Sequence, residues 1–231
     1  MCRFLFLGDS ITDCDHLWLP ETNGLGNGYV SMLAEKIKAI RPDAEIINKG
    51  ANGFTTAALR QRLVSFVPAS KADMMCLLIG INDLGAAIGN AVPSPEDLTA
   101  YERKFTQNYE HLLKSLRFLT NARILCIAPF VFPYPQEYLL WIPFIRLMER
   151  SITGLTEKYQ MECLLMQDIL CEAAAPASNA ASSAGNYSGR PDCHTFSDPA
   201  AYCLITTDGI HLTPYGHRIL TDTVWPFLFP K

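Results

Sequence analysis

The chain has 231 residues, a formal net charge of −4, 49% hydrophobic residues and 18% charged residues. That length suits one α/β domain with a core that needs no staples, and the composition carries no signature of disorder. The charge gives no electrostatic case for nucleic acid or an anionic membrane surface, and no apolar stretch approaches the ~20 residues that span a bilayer.

The amino terminus has one arginine and a short apolar run before Gly8, too little for a signal peptide, so the chain reads as cytoplasmic. Eight cysteines are scattered, with Cys76, Cys126 and Cys163 inside apolar runs, the pattern of reduced core thiols rather than a disulfide framework. Phe4 to Leu7 is a continuous apolar run closed by Gly8, which predicts a strand buried on both faces. Ser10 then falls just past its carboxyl end, where open α/β sheets hold their ligands. The stretch from Ile11 to Gly28 is a loop that must pass beside this serine and can wall a substrate.

Helical spacing follows over Tyr29–Ile40, closed by Arg41-Pro42-Asp43, and a short strand over 45–48. Gly50 and Gly53 allow close approach of backbone, and Thr55 or Thr56 can cap a helix reaching to about Phe66. A third buried strand, 74–79, delivers Gly80-Ile81-Asn82-Asp83 at its carboxyl end. Asp83 suits a structural role on loop N–H groups. Residues 85–95 read as an uncharged flexible loop, 99–119 as an amphipathic helix and 123–127 as the fourth strand. Between 129 and 141 stand Phe130, Phe132, Tyr134, Tyr138 and Trp141, a cluster that suits core packing more than a binding box. A helix over 145–159 and a strand over 162–166 complete a βα alternation, which predicts a three-layer α/β/α sandwich on a five-stranded parallel sheet.

The stretch 171–203 is the least regular, with an Ala/Ser/Gly/Asn-rich middle that reads as an insertion in a single domain, 1–231. Cys171, Cys193, His194 and Cys203 match no compact zinc spacing. His16, His111 and His217 have no carboxylate at motif spacing and are expected to pack or face solvent. Asp208 and His211 stand three residues apart just before Thr213-Pro214, a helix start. A serine hydroxyl needs a base to take its proton and a third group to orient that base. Ser10, His211 and Asp208 supply the three.

Gly8-Asp9-Ser10, Asn48-Lys49-Gly50-Ala51-Asn52-Gly53, Gly80-Ile81-Asn82-Asp83 and Asp208-Gly209-Ile210-His211 occur in the order of the motifs of the SGNH hydrolases, the GDSL-type esterases and lipases, which this sequence resembles. The first block, GDSITDC, followed by 25–30, looks most like a bacterial branch of acetylxylan esterases and carbohydrate deacetylases. The resemblance implies a flavodoxin-like fold, a Ser10, Asp208, His211 triad and an oxyanion hole made by the N–H groups of Ser10 and Gly53 and the amide of Asn82, with Gly50 the runner-up to Gly53. It implies no metal or organic cofactor. The substrate it implies is a small-molecule or oligosaccharide ester, short-chain and most simply acetyl. A lipid-type esterase, lysophospholipase or thioesterase is the alternative, and a non-catalytic binding protein that keeps the fold the remote one. An α/β-hydrolase would share the order Ser, Asp, His, but Thr12 stands where its elbow needs a second glycine. Oligomeric state is not legible.

Overall fold

The computed structural model describes residues 2–88, 92–174 and 202–230. In chain order its elements are β1 (Arg3–Gly8), α1 (Ser10–Asp13), α2 (Tyr29–Ile40), β2 (Glu45–Gly50), α3 (Thr56–Ser70), β3 (Met74–Leu78) and α4 (Ile81–Gly85). They continue with α5 (Pro95–Leu119), β4 (Arg123–Ile127), α6 (Ile142–Lys158), β5 (Glu162–Leu164), α7 (Gln167–Ala174) and α8 (Pro214–Leu228). The strands form one sheet in the order β2-β1-β3-β4-β5, every pair parallel.

Each central strand is apolar on both faces because both are covered. Phe4 and Phe6 of β1 pack into a core with α2, α7 and α8, while Leu5 and Leu7 enter a second core with α3, α5 and α6. β3 divides the same way, Met74, Cys76 and Leu78 against Met75 and Leu77. This is the predicted three-layer α/β/α sandwich. Gly8 lies level with Gly50 of β2 and with Leu78 of β3. Ser10, Gly53 and Asn82, which follow those three strands, therefore emerge at one edge of the sheet.

The elements depart from the sequence reading mainly at their ends. α5 begins at Pro95 instead of residue 99, because Ser94 and Asp97 form a capping box and proline suits the first turn. Pro143 does not delay α6; it sits in the first turn, where its missing N–H breaks no helical bond. β5 stops at Leu164 rather than at 166, and the Met166 carbonyl accepts the Leu170 N–H at the start of α7. Within the expected insertion, 171–174 belong to α7 and Tyr202 is buried. Cys193 and His194, with the rest of that stretch, lie outside the described residues. In the expected loop 85–95, Gly85 ends α4, and 89–91 also lie outside them.

Candidate active site

Ser10 is the first residue of α1, presented by a sharp turn off β1. Asp9 caps that turn, its Oδ1 accepting the Ile11 N–H at 3.1 Å. Asp9 is buried with Oδ2 unpartnered among the described residues, and burial pushes its carboxyl up to about 7.

Asp208 and His211 come from the loop before α8. Gly209, at φ 94°, lies so close to the Tyr134 carbonyl that a side chain there would collide with it. Asp208 Oδ1 accepts the N–H groups of Ile210 and His211 at 2.9 and 2.8 Å, and Oδ2 pairs with His211 Nδ1 at 2.6 Å. Burial alone would raise the Asp208 carboxyl, but the hydrogen bonds from His211 and Ile210 overcome it and hold the group below its ordinary value. A carboxylate has no proton to give, so Nδ1 carries the hydrogen and the Nε2 lone pair is free to accept. Ser10 Oγ stands 2.8 Å from that Nε2. The three predicted residues thus form one hydrogen-bonded chain, oriented to take the proton from the serine hydroxyl.

The remaining predicted donors surround it. Gly50 is buried and gives its N–H to Asn48 Oδ1 at 2.9 Å, so that group is spent. Gly53 is exposed at φ 72°, and the Phe54 N–H donates to the Ala51 carbonyl at 3.1 Å. A type II turn requires such a φ at its third residue. Asn82 Nδ2 donates to the Phe54 carbonyl at 2.9 Å, which leaves its second amide hydrogen for another acceptor. Asp83 accepts from the Thr56 N–H at 2.8 Å and from its hydroxyl at 2.6 Å, the structural role expected of it, while burial raises its carboxyl against those bonds.

The expectation that His16 lacks a carboxylate is overturned. α1 ends after one turn with Cys14 at φ 42° and Asp15 at φ 58°, and this folds the chain back so that His16 Nδ1 meets Asp13 Oδ1 at 2.6 Å. The signal was legible: Asp13 and His16 have the same spacing as Asp208 and His211. His217 packs as expected, stacked on Tyr29, with Nδ1 accepting the Tyr29 N–H at 3.2 Å. Burial and the nearby His211 lower it to about 4. Phe130 and Phe132 are buried in the core, and the Tyr138 and Trp141 rings pack on each other with centroids 4.6 Å apart. Beside Ser10 opens a cavity of about 300 Å³ whose walls include Asp13, Asp15, Asn27, Asn52 and His211. Its walls are chiefly polar.

The family model of the GDSL-like lipases and acylhydrolases matches residues 6–219. An acetylxylan esterase of Geobacillus stearothermophilus is 34% identical over 139 residues, 55% of this chain and 59% of that protein's length. Among solved structures, a mutant of Axe2, described as an acetyl-xylooligosaccharide esterase, superposes with a TM-score of 0.70 at 23% identity, over 99% of this chain and 94% of the other. Axe2 itself, an acetylxylan esterase from Geobacillus stearothermophilus, gives 0.65 at 22% identity over the same shares. No described helix is long and apolar enough to cross a membrane.

Proposed function

The chain belongs to the GDSL-like lipase/acylhydrolase family, and on that premise we propose that it is a serine esterase that removes short acyl groups, acetyl foremost, from a carbohydrate or other small alcohol. The observation that carries this is the chain of hydrogen bonds from Ser10 Oγ through His211 to Asp208, 2.8 and 2.6 Å long. His211 Nε2 takes the hydroxyl proton as Ser10 Oγ attacks the ester carbonyl, and Asp208 stabilises the imidazolium that forms. The N–H groups of Ser10 and Gly53 and the free amide hydrogen of Asn82 receive the oxyanion. Collapse of the tetrahedral intermediate expels the alcohol with the proton held on His211, and water then enters by the same steps to release the acid.

The polar cavity beside Ser10 supports a hydroxylated leaving group, and the acetylxylan esterase relative supports acetyl. A trough for a long acyl chain finds less support, because Phe130 and Phe132 are committed to the core. The buried thiols of Cys76 and Cys126, carrying no disulfide inside their strands, support a reducing compartment such as the cytoplasm.

The deciding experiment offers acetylated xylo-oligosaccharides, p-nitrophenyl acetate and p-nitrophenyl octanoate to the parent and to Ser10→Ala. Acetate released from the sugar by the parent and not by the variant is expected. Octanoate turned over faster than acetate would move the assignment to lipids or thioesters.

A further inference from the structure

We propose that Asp13, seated by His16, is a positioning residue that fixes the Asn52-Gly53 turn to the helix of the nucleophile and so sets where the oxyanion donor points. The inference rests on the reading of Gly53 as that donor.

Asp13 is the last residue of α1, and its own N–H donates to the Asp9 carbonyl at 2.8 Å, so its backbone belongs to the turn that carries Ser10. Its two carboxylate oxygens are both engaged. Oδ1 accepts from His16 Nδ1–H at 2.6 Å, the histidine being the only one of the two with a proton to give. Oδ2 accepts the Asn52 N–H at 3.0 Å. Asn52 is the second residue of the turn, directly before Gly53, and rotation of the peptide plane between them would re-aim the Gly53 N–H.

Asn48 also ties α1 to the segment before the turn, donating to the Thr12 carbonyl at 2.7 Å while accepting the Gly50 N–H, and further restraints act on the turn itself. The Ala51 N–H bonds to the Gly8 carbonyl at 3.1 Å, Asn82 holds the Phe54 carbonyl, and Asp83 holds Thr56. Of these ties, the Asp13 carboxylate links the turn directly to the helix that begins with Ser10. The pair is shielded, with side chains 7% and 13% exposed for His16 and Asp13. Low solvent access keeps the His16–Asp13 contact tight, while the bond onward to the Asn52 N–H lies at the surface. Asp13 also borders the cavity, so a change in KM would report contact with substrate there, and a change confined to kcat its action through Asn52 and Gly53.

The test compares Asp13→Ala, Asp13→Asn and His16→Gln with the parent on p-nitrophenyl acetate, each rate referred to sites titrated with a fluorophosphonate. Inhibition by a trifluoromethyl ketone, whose serine adduct places an oxyanion in the same hole, is read alongside. A displacement of ~1 Å costs up to ~10²-fold, below the full loss of a donor. For Asp13→Ala the expected result is a fall in kcat of ~10- to 100-fold with KM within ~3-fold, and a Ki raised by a matching factor. Asp13→Asn and His16→Gln should fall in between, and they keep the test alive if the alanine variant folds poorly. A kcat per titrated site equal to the parent's in all three, or a Ki that stays put while kcat falls, would overturn the proposal. Parent hydrolysis that survives Ser10→Ala would overturn the esterase reading beneath it, and is told apart because it involves no change at Asp13.

Discussion

Two Asp-x-x-His pairs flank Ser10, with the same sequence spacing and the same 2.6 Å contact from carboxylate to Nδ1. They differ in what surrounds them. In the pair Asp208–His211 the side chains are 51% and 47% exposed, and the far nitrogen faces Ser10 Oγ. In the pair Asp13–His16 they are 13% and 7% exposed, and the far carboxylate oxygen holds a backbone N–H. Spacing makes the hydrogen bond in both. What the pair can do is decided by where its unpaired end points: a histidine aimed at a hydroxyl can move a proton, and a carboxylate aimed at an amide can only hold it still.

The comparison breaks most readily at the exposed pair. His211→Ala should lower kcat on p-nitrophenyl acetate by ~10⁴- to 10⁶-fold, and Asp208→Asn by ~10⁴-fold, with the fold intact by circular dichroism. A variant at either position within ten-fold of the parent would remove the catalytic half of the contrast. Asn82→Ala, which takes away an amide donor without touching either pair, should cost ~10²- to 10³-fold in kcat. Turnover within a few-fold of the parent would dismiss Asn82 from the oxyanion hole.

Stability should sort the pairs in the opposite order. Asp13→Ala strands the buried imidazole N–H of His16, at about 1–3 kcal/mol, and releases the exposed Asn52 N–H to water. Its Tm should drop by more than ~2 °C, whereas Asp208→Ala, at an exposed carboxylate, should stay within ~2 °C. Equal shifts would show that exposure is the wrong variable.

Asp9 separates burial from pairing, since it is buried without a histidine. Burial pushes its carboxyl in the folded chain up to about 7, well above the ordinary carboxylate value, so folding favours the protonated form. That contribution is complete below the unfolded pKa and is lost as pH rises through about 7. Asp9→Asn removes the titration. The difference in Tm between variant and parent should move in the variant's favour from pH 4 to pH 8, by less than the kinetic effects above. A constant difference across that range would mean that Asp9 is not buried as a carboxylic acid.

Most of the architecture was legible in the chain. Phe4–Leu7 and 74–78 are apolar at every position, a pattern that in a parallel sheet means cover on both faces. α2 and β4 have the ends that local spacing predicts. Ser10, Asn82, Asp208 and His211 were legible too, because each sits in a short motif at the end of a strand or the start of a helix. The shifted starts of α5 and α6 follow from capping chemistry at Ser94 and Pro143, present in the sequence but outweighed there by apolar periodicity.

What the chain by itself determined, then, was the layered sheet and the residue types gathered at its carboxyl edge, since strand burial and motif spacing are local properties. Tertiary structure alone decided what the far side of the Asn48 amide holds: Oδ1 takes the Gly50 N–H two residues on, a local turn, while Nδ2 donates to the Thr12 and Leu25 carbonyls at 2.7 and 2.9 Å. It likewise decided that the second oxygen of Asp13 reaches Asn52, 39 residues away, where the first meets His16 by spacing. The return of His16 onto Asp13 passes through two consecutive residues, Cys14 and Asp15, held at positive φ. Aspartate visits that region more readily than most residues, but cysteine has no such preference, and the bond from the Asn27 N–H to the Cys14 carbonyl, 3.0 Å long, comes from the returning loop.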